Sequence, residues 1–170
     1  MACKIAAQMF TAREHTKTPE EFAGTLKKLS DIGYPAVQLS AIGCMNDGSV
    51  SAKEAKKMLD DNGITCVATH RPWPELMNNT DKEIEFHKEL GCDFAAIGGI
   101  GGDYEATPEG YRKWIRDAGP VIDKLKAAGI GFGHHNHAKE FKRVDDPRGN
   151  LEEILIRSEE HTSELQSLLI

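Results

Sequence analysis

The chain has 170 residues, 39% hydrophobic and 28% charged, and a formal net charge of -6. That length holds one domain with a sizeable core and is short for two. The acidic balance, with no basic stripe, leaves no electrostatic footprint for nucleic acid, and no apolar run reaches membrane-spanning length.

The start, Met1-Ala2-Cys3-Lys4-Ile5, lacks the long apolar segment of a secretory signal. Cys3, Cys44, Cys66 and Cys92 are scattered, with no Cys-x-x-Cys pair. This spacing predicts reduced, mostly buried thiols in a cytoplasmic setting rather than a disulfide framework or a zinc knuckle.

The first strand is read over Lys4 to Phe10, followed by a loop to Lys17. Thr18-Pro19-Glu20-Glu21 then opens a helix, with a threonine cap, proline at the first helical position and glutamate three residues on. Phe22, Leu26 and Leu29 share a face, and Gly33 ends it. A second strand covers Ala36 to Ser40. After a loop with Gly and Ser, Ser51 with Glu54 caps a helix that ends at Asn62-Gly63, and a third strand runs from Ile64 to His70. Thr80 with Glu83 is read as a third capping box, on a helix ending at Leu90-Gly91. The fourth strand is Asp93 to Ile97. Thr107-Pro108 opens a helix that closes at Ala128-Gly129, with Gly119-Pro120 expected to kink or split it. The fifth strand starts at Ile130, and Asn150 with Glu153 caps a last helix, Leu151 to Ile156.

Strands alternating with capped helices define an α/β class with right-handed crossovers and a parallel sheet. A doubly wound sheet would be complete with five strands, whereas an eight-stranded βα barrel needs roughly 250 residues. No Gly-x-Gly-x-x-Gly turn follows the first strand. Ala6 with Gln8, Ala36 with Gln38, Ala68 with His70, Ala96 with Gly98, and Gly133 with His135 each place a small and then, mostly, a polar residue on one face. That repetition suits a lumen with a polar mouth, so the expected fold is the N-terminal portion of a TIM barrel: about four βα units and a fifth strand. The expected division is 1–156 as this partial barrel and 157–170 as a non-native tail, because Arg157 to Ser167 resembles the in-frame translation of a sequencing-adapter oligonucleotide.

Gly131-Phe132-Gly133-His134-His135-Asn136-His137-Ala138-Lys139-Glu140 carries the densest chemistry. His135, His137 and Glu140 are proton-shuttle or metal-ligand types at the C-terminal end of a strand, where βα barrels keep their sites; the plain reading is a polar loop bonded to itself. His70 ends the third strand on the equivalent face. Arg71 and Trp73 suit an anionic or sugar-like ligand, or else anchor a loop. Gln8 and Gln38 suit hydroxyl recognition, and Gly98 to Gly102 reads as a loop rather than a phosphate cradle.

With Gln8-Met9-Phe10, Gly33-Tyr34-Pro35-Ala36-Val37-Gln38-Leu39, Ala68-Thr69-His70 and His135-Asn136-His137-Ala138-Lys139-Glu140-Phe141, the sequence resembles the sugar phosphate isomerase/epimerase family, the xylose isomerase-like TIM barrels. The resemblance implies proton transfer beside a sugar carbonyl through an enediolate, with a divalent ion (Mn, Mg, Co or Zn). The catalytic candidates are His70, His135, His137 and Glu140, and the substrate-binding candidates are Gln8, Gln38, Arg71, Trp73 and Asn136. His135 and Glu140 are the candidates for the ion in this chain, with further ligands expected from strands six to eight. Gln38 stands where relatives often carry an acid. A small sugar or sugar phosphate is the expected partner, with no nucleic acid and no membrane. The fragment is expected to be inactive, to bind metal weakly and to self-associate through exposed strand edges. The rival readings are a keto-sugar dehydratase or lyase of the same barrel family, a noncatalytic sugar-binding module and a DNA-repair endonuclease relative.

Overall fold

The structure is a computed structural model and describes residues 5–101 and 104–156, with the backbone of 166–167. The expectations for residues 1–4, Gly102, and residues 157–165 and 168–170 therefore lie outside the described residues. The chain divides into two compact units, Met1–His70 with Glu85–Phe94, and Arg71–Ile84 with Ala95–Ile170.

The first unit holds β1 (Ala6–Gln8), β2 (Ala36–Leu39) and most of β3 (Thr65–Arg71), all parallel and in chain order. The first strand is shorter than its sequence suggests, because Met9–His15 winds into a 3-10 helix. Helix α1 (Pro19–Ile32) starts on the expected box: Thr18 Oγ1 accepts from the Glu21 N–H, and the Glu21 carboxylate accepts from the Thr18 N–H. Its last turn is reversed by Gly33, whose φ of 100° a side-chain-bearing residue rarely adopts. A single helical turn, α2 (Gly43–Asn46), follows β2 where a plain loop was expected. Gly43 passes so close to the chain before α1 that an added Cβ would lie 2.9 Å from Lys17 Cα. Helix α3 (Ala52–Asp61) has the reciprocal Ser51–Glu54 box.

The helix-facing side of these strands is apolar. Val37 and Leu39 join Phe22 and Leu26 of α1 and Ala55 and Leu59 of α3, all buried. Each such side chain contributes roughly 1.5–3 kcal/mol of transfer free energy. Cys44, Cys66 and Cys92 are buried free thiols in the same cluster, and the hydrogen-bonding contact with Cys92, then burial, raise the Cys66 thiol well above its ordinary range.

One irregularity matters for the site. Register runs Val37 to Cys66 and then Gln38 to Ala68, so Val67 has no partner in β2 and forms a bulge. Paired residues share a face. Cys66 therefore faces the helices with Val37, while Ala68 and His70 face the other way with Gln38.

The second unit holds α4 (Trp73–Asn78), a turn missing from the sequence reading, β4 (Phe94–Ile97) apart from its first residue, α6 (Pro108–Ala127), β5 (Gly131–His134) and α7 (Leu151–Ile156). Helix α5 (Thr80–Leu90) contributes residues to both units. Its expected box is replaced: the Thr80 hydroxyl donates to Leu76 O at 2.7 Å, and the Glu83 carboxylate turns to Arg71. Helix α6 is continuous through Pro120, contrary to the expected break. Pro120 and Arg116, whose carbonyl loses its donor, both lie on the exposed side, where water replaces the missing bond. The core centres on Trp114, with its ring centroid 5.1 Å from Trp73 and 6.2 Å from Phe132. A short strand, β6 (Gln166–Ser167), pairs parallel to β5.

Candidate functional site

In the first unit, the non-helical face of the strands carries a polar row at its C-terminal end. Gln8 and Gln38 are register partners, and Gln38 lies beside Ala68. Gln38 is 4% exposed, and neither its Oε1 nor its Nε2 has a hydrogen-bond partner among the described residues. Leaving a buried amide this way costs roughly 1–3 kcal/mol. One step further along, Ser40 Oγ lies 3.3 Å from His70 Nδ1. Ala41 follows with φ of 55°, the left-handed region that non-glycine residues avoid. Strain of this kind gathers at binding sites. Ser40 was not singled out from sequence, although its two-residue offset from Gln38 puts it on the same face.

In the second unit, β5 splits its residues by alternation. Phe132 and His134 face Trp114, with the His134 ring 6.4 Å from the indole. Gly131, Gly133 and His135 take the opposite face. His134 is thus a core residue, and burial pushes its pKa down to about 4. The His135 N–H donates to Ile97 O at 3.0 Å, continuing the β4 contact just past the end of β5. Its ring lies 4.8 Å from that of His137. Burial, then the neighbouring His137, holds His135 below the ordinary imidazole range. Gly99 approaches His137: a Cβ there would lie 3.9 Å from the imidazole.

Glu140 is fully buried. The Tyr111 hydroxyl donates to its Oε1 at 2.7 Å, and the His137 N–H donates to its Oε2 at 2.8 Å. Burial alone would raise this carboxyl; the two donors outweigh it and hold the group below its usual range. Burial and the adjacent carboxylate push the Tyr111 phenol the other way, upward. The Asn136 amide donates to Glu152 Oε1 at 3.2 Å, and the other Glu152 oxygen has no partner among the described residues. Neither Tyr111 nor Glu152 carries a local sequence signal, since both lie in the first turn of a helix and the acidic one reads as solvated.

Arg71 and Trp73 both make contacts within the chain. The Arg71 guanidinium makes a two-pronged ion pair with Glu83, at 2.7 and 2.6 Å. Trp73 is 3% exposed and packs in the core with Trp114. Its place follows from α4, whose single turn carries the ring inward.

Among the described residues no group of three His, Cys, Asp or Glu side chains could hold a metal ion. His135 supplies a donor, but both Glu140 oxygens are engaged within the chain. The described residues therefore do not fit a complete ion site.

Parallel strands with polar groups gathered at their C-terminal ends define the class: an α/β fold that is part of a βα barrel. Comparison with solved structures gives particular neighbours of this kind. A sugar phosphate isomerase/epimerase from Parabacteroides distasonis ATCC 8503 superposes with a TM-score of 0.72 at 22% identity, over 89% of this chain and 60% of that one. An AP endonuclease, family 2, from Brucella melitensis gives 0.59 at 15% identity, over 88% and 59%. The IOLI protein with a bound zinc atom gives 0.56 at 12% identity, over 81% and 53%. The chain thus spans about 60% of the length of the first of these structures. No family description matches the sequence, and no curated protein does. Among the described residues, no helix is long and apolar enough to cross a membrane.

Proposed function

We propose that the chain is part of a sugar isomerase or epimerase, which moves a proton beside a sugar carbonyl through an enediolate. The observation that carries the reading is Gln38: a buried amide, with neither polar atom partnered among the described residues, at the C-terminal end of a barrel strand. A ligand presenting adjacent hydroxyls supplies a donor to Oε1 and an acceptor to Nε2, which returns the desolvation cost of the amide. Gln8, Ser40 and His70 extend that polar row in the first unit. Gln38 is neutral, so the row favours a polyol over a cation.

In the second unit the proton-carrying candidates are His135 and His137. His135 is held below the ordinary imidazole range, so it is neutral at pH 7 and able to accept a proton. Asn136 and Glu152 are placed to orient that loop. The divalent ion that the sequence resemblance implies would polarise the carbonyl. It needs donors beyond the described residues, so the ion remains a proposal for the longer architecture of the neighbours.

The test is a titration of the isotopically labelled chain with D-fructose, D-ribulose and myo-inositol, followed by NMR in ordinary aqueous buffer, where the amide protons are retained. The expected result is a shift of the Gln38 side-chain amide that disappears in Gln38→Leu, without turnover by this chain. Polyols that leave Gln38 undisturbed, together with salt-sensitive binding to duplex DNA, would replace this reading by the endonuclease one.

A further inference from the structure

The histidine loop after β5 is held by a group that the sequence reading assigned to chemistry. Glu140 has no exposed surface. One oxygen accepts from the Tyr111 hydroxyl of α6, and the other from the backbone N–H of His137. Its own carbonyl accepts from the Glu152 N–H at 3.0 Å, which ties in the first turn of α7. The Lys139 ammonium lies 3.6 Å from the carboxylate. The side chain is therefore joined to α6 and to the loop's own backbone.

We propose that Tyr111, acting through Glu140, is a positioning residue for the His135–His137 pair, and that Glu140 is an anchor rather than an ion ligand or proton carrier. Charge-assisted hydrogen bonds to a carboxylate are short and strong, and both oxygens here are committed to them. The amide that Glu140 holds belongs to His137, whose ring sits 4.8 Å from the His135 ring. Moving the anchor turns that backbone unit and so changes the distance between the imidazoles. This role does not depend on which substrate the protein takes.

An anchor and an acid make opposite demands on an isosteric substitution. In Glu140→Gln the amide oxygen still accepts from the His137 N–H, while the amide nitrogen donates to the Tyr111 oxygen. Shape and both links survive, but the proton-carrying and ion-binding carboxylate is gone. Glu140→Ala removes the links, and Tyr111→Phe removes one of them.

The experiment uses the full chain and reads the imidazole signals of His135 and His137, with His70 and His87 as internal controls, and the exchange rate of the His137 amide. In Glu140→Ala and Tyr111→Phe, the two loop imidazoles are expected to shift while the controls stay, and the His137 amide to exchange about tenfold faster or more. Glu140→Gln is expected to resemble the wild type in both readouts, and to leave the response of His135 to zinc chloride unchanged. A folded Tyr111→Phe with unmoved loop imidazoles overturns the proposal, and this variant serves if Glu140→Ala does not fold. A Glu140→Gln chain displaced as far as Glu140→Ala, or one that alone loses the zinc response, overturns it as well.

Discussion

His134 makes the chain's stability depend on pH in a way that can be worked through. The imidazole faces Trp114 in the core, and burial depresses its pKa from 6.5 to about 4. At neutral pH both folded and unfolded forms carry the neutral ring, so the shift costs nothing. As pH falls through 6.5 the unfolded chain takes up a proton that the folded chain refuses, and stability falls until the pH reaches the folded value. The full loss is about 3 kcal/mol, of which about 2 kcal/mol is gone by about pH 5. Replacement by leucine removes the titrating group and also a buried nitrogen, Nε2, that has no partner among the described residues. His134→Leu should therefore be more stable at about pH 7.5 by roughly 1–3 kcal/mol. Between about pH 7.5 and pH 5 it should lose about 2 kcal/mol less than the wild type. Urea unfolding followed by tryptophan fluorescence is suited to this, because both tryptophans, Trp73 and Trp114, lie in the core around His134. Taking the difference between the two chains cancels the carboxylates. Identical pH dependence in the two would refute the placement of His134 and the reasoning with it.

Other substitutions test other layers of the description. Glu83→Ala leaves the Arg71 guanidinium without its two-pronged partner and should cost about 3 kcal/mol in denaturant unfolding, much of it recovered by Arg71→Met in the same chain. Thr18→Ala removes the hydroxyl that caps α1; a loss of about 1 kcal/mol is expected by thermal melting, and no loss would mean that the box is idle. Gln38→Leu should raise the melting temperature, since the buried amide goes, while abolishing any polyol response. A lower melting temperature would show that the amide is satisfied within the chain. Phe22→Ala should cost roughly 3–5 kcal/mol, because the ring is fully buried against Leu26 and its neighbours.

The helices were legible wherever a long periodic face coincided with a cap, as at Thr18 and Ser51. One-turn elements were not: Gly43–Asn46 and Trp73–Asn78 are too short to show a period, and the second of them hid the burial of Trp73. Thr80 and Glu83 have the spacing of a capping box, but spacing cannot show that a stronger partner, Arg71, waits on another element. The row Gln8, Gln38, Ala68, His70 followed from alternation and small-then-polar patterning. Glu140 illustrates the reverse. Its residue type and position suggested chemistry, and only the side chain of Tyr111, far away in sequence, shows what it touches.

The bulge at Val67 gives β3 two reading frames. Up to Cys66, even-numbered residues belong to the interior packed on helices; from Ala68 onward, even-numbered residues belong to the polar row. Thr69, now on the packed side, meets His87 of α5 at 2.8 Å, and His70 meets Ser40. Deleting Val67 would leave Ala68 opposite Gln38 and keep these faces, whereas a ladder that stayed regular with Val67 paired to Gln38 would turn the end of the strand over, sending His70 into the packing and Thr69 to the mouth. The chemistry of this strand is therefore set by where its extra residue is absorbed as much as by residue identity, and ironing out the bulge would exchange a scaffold residue for a functional one without altering any side chain.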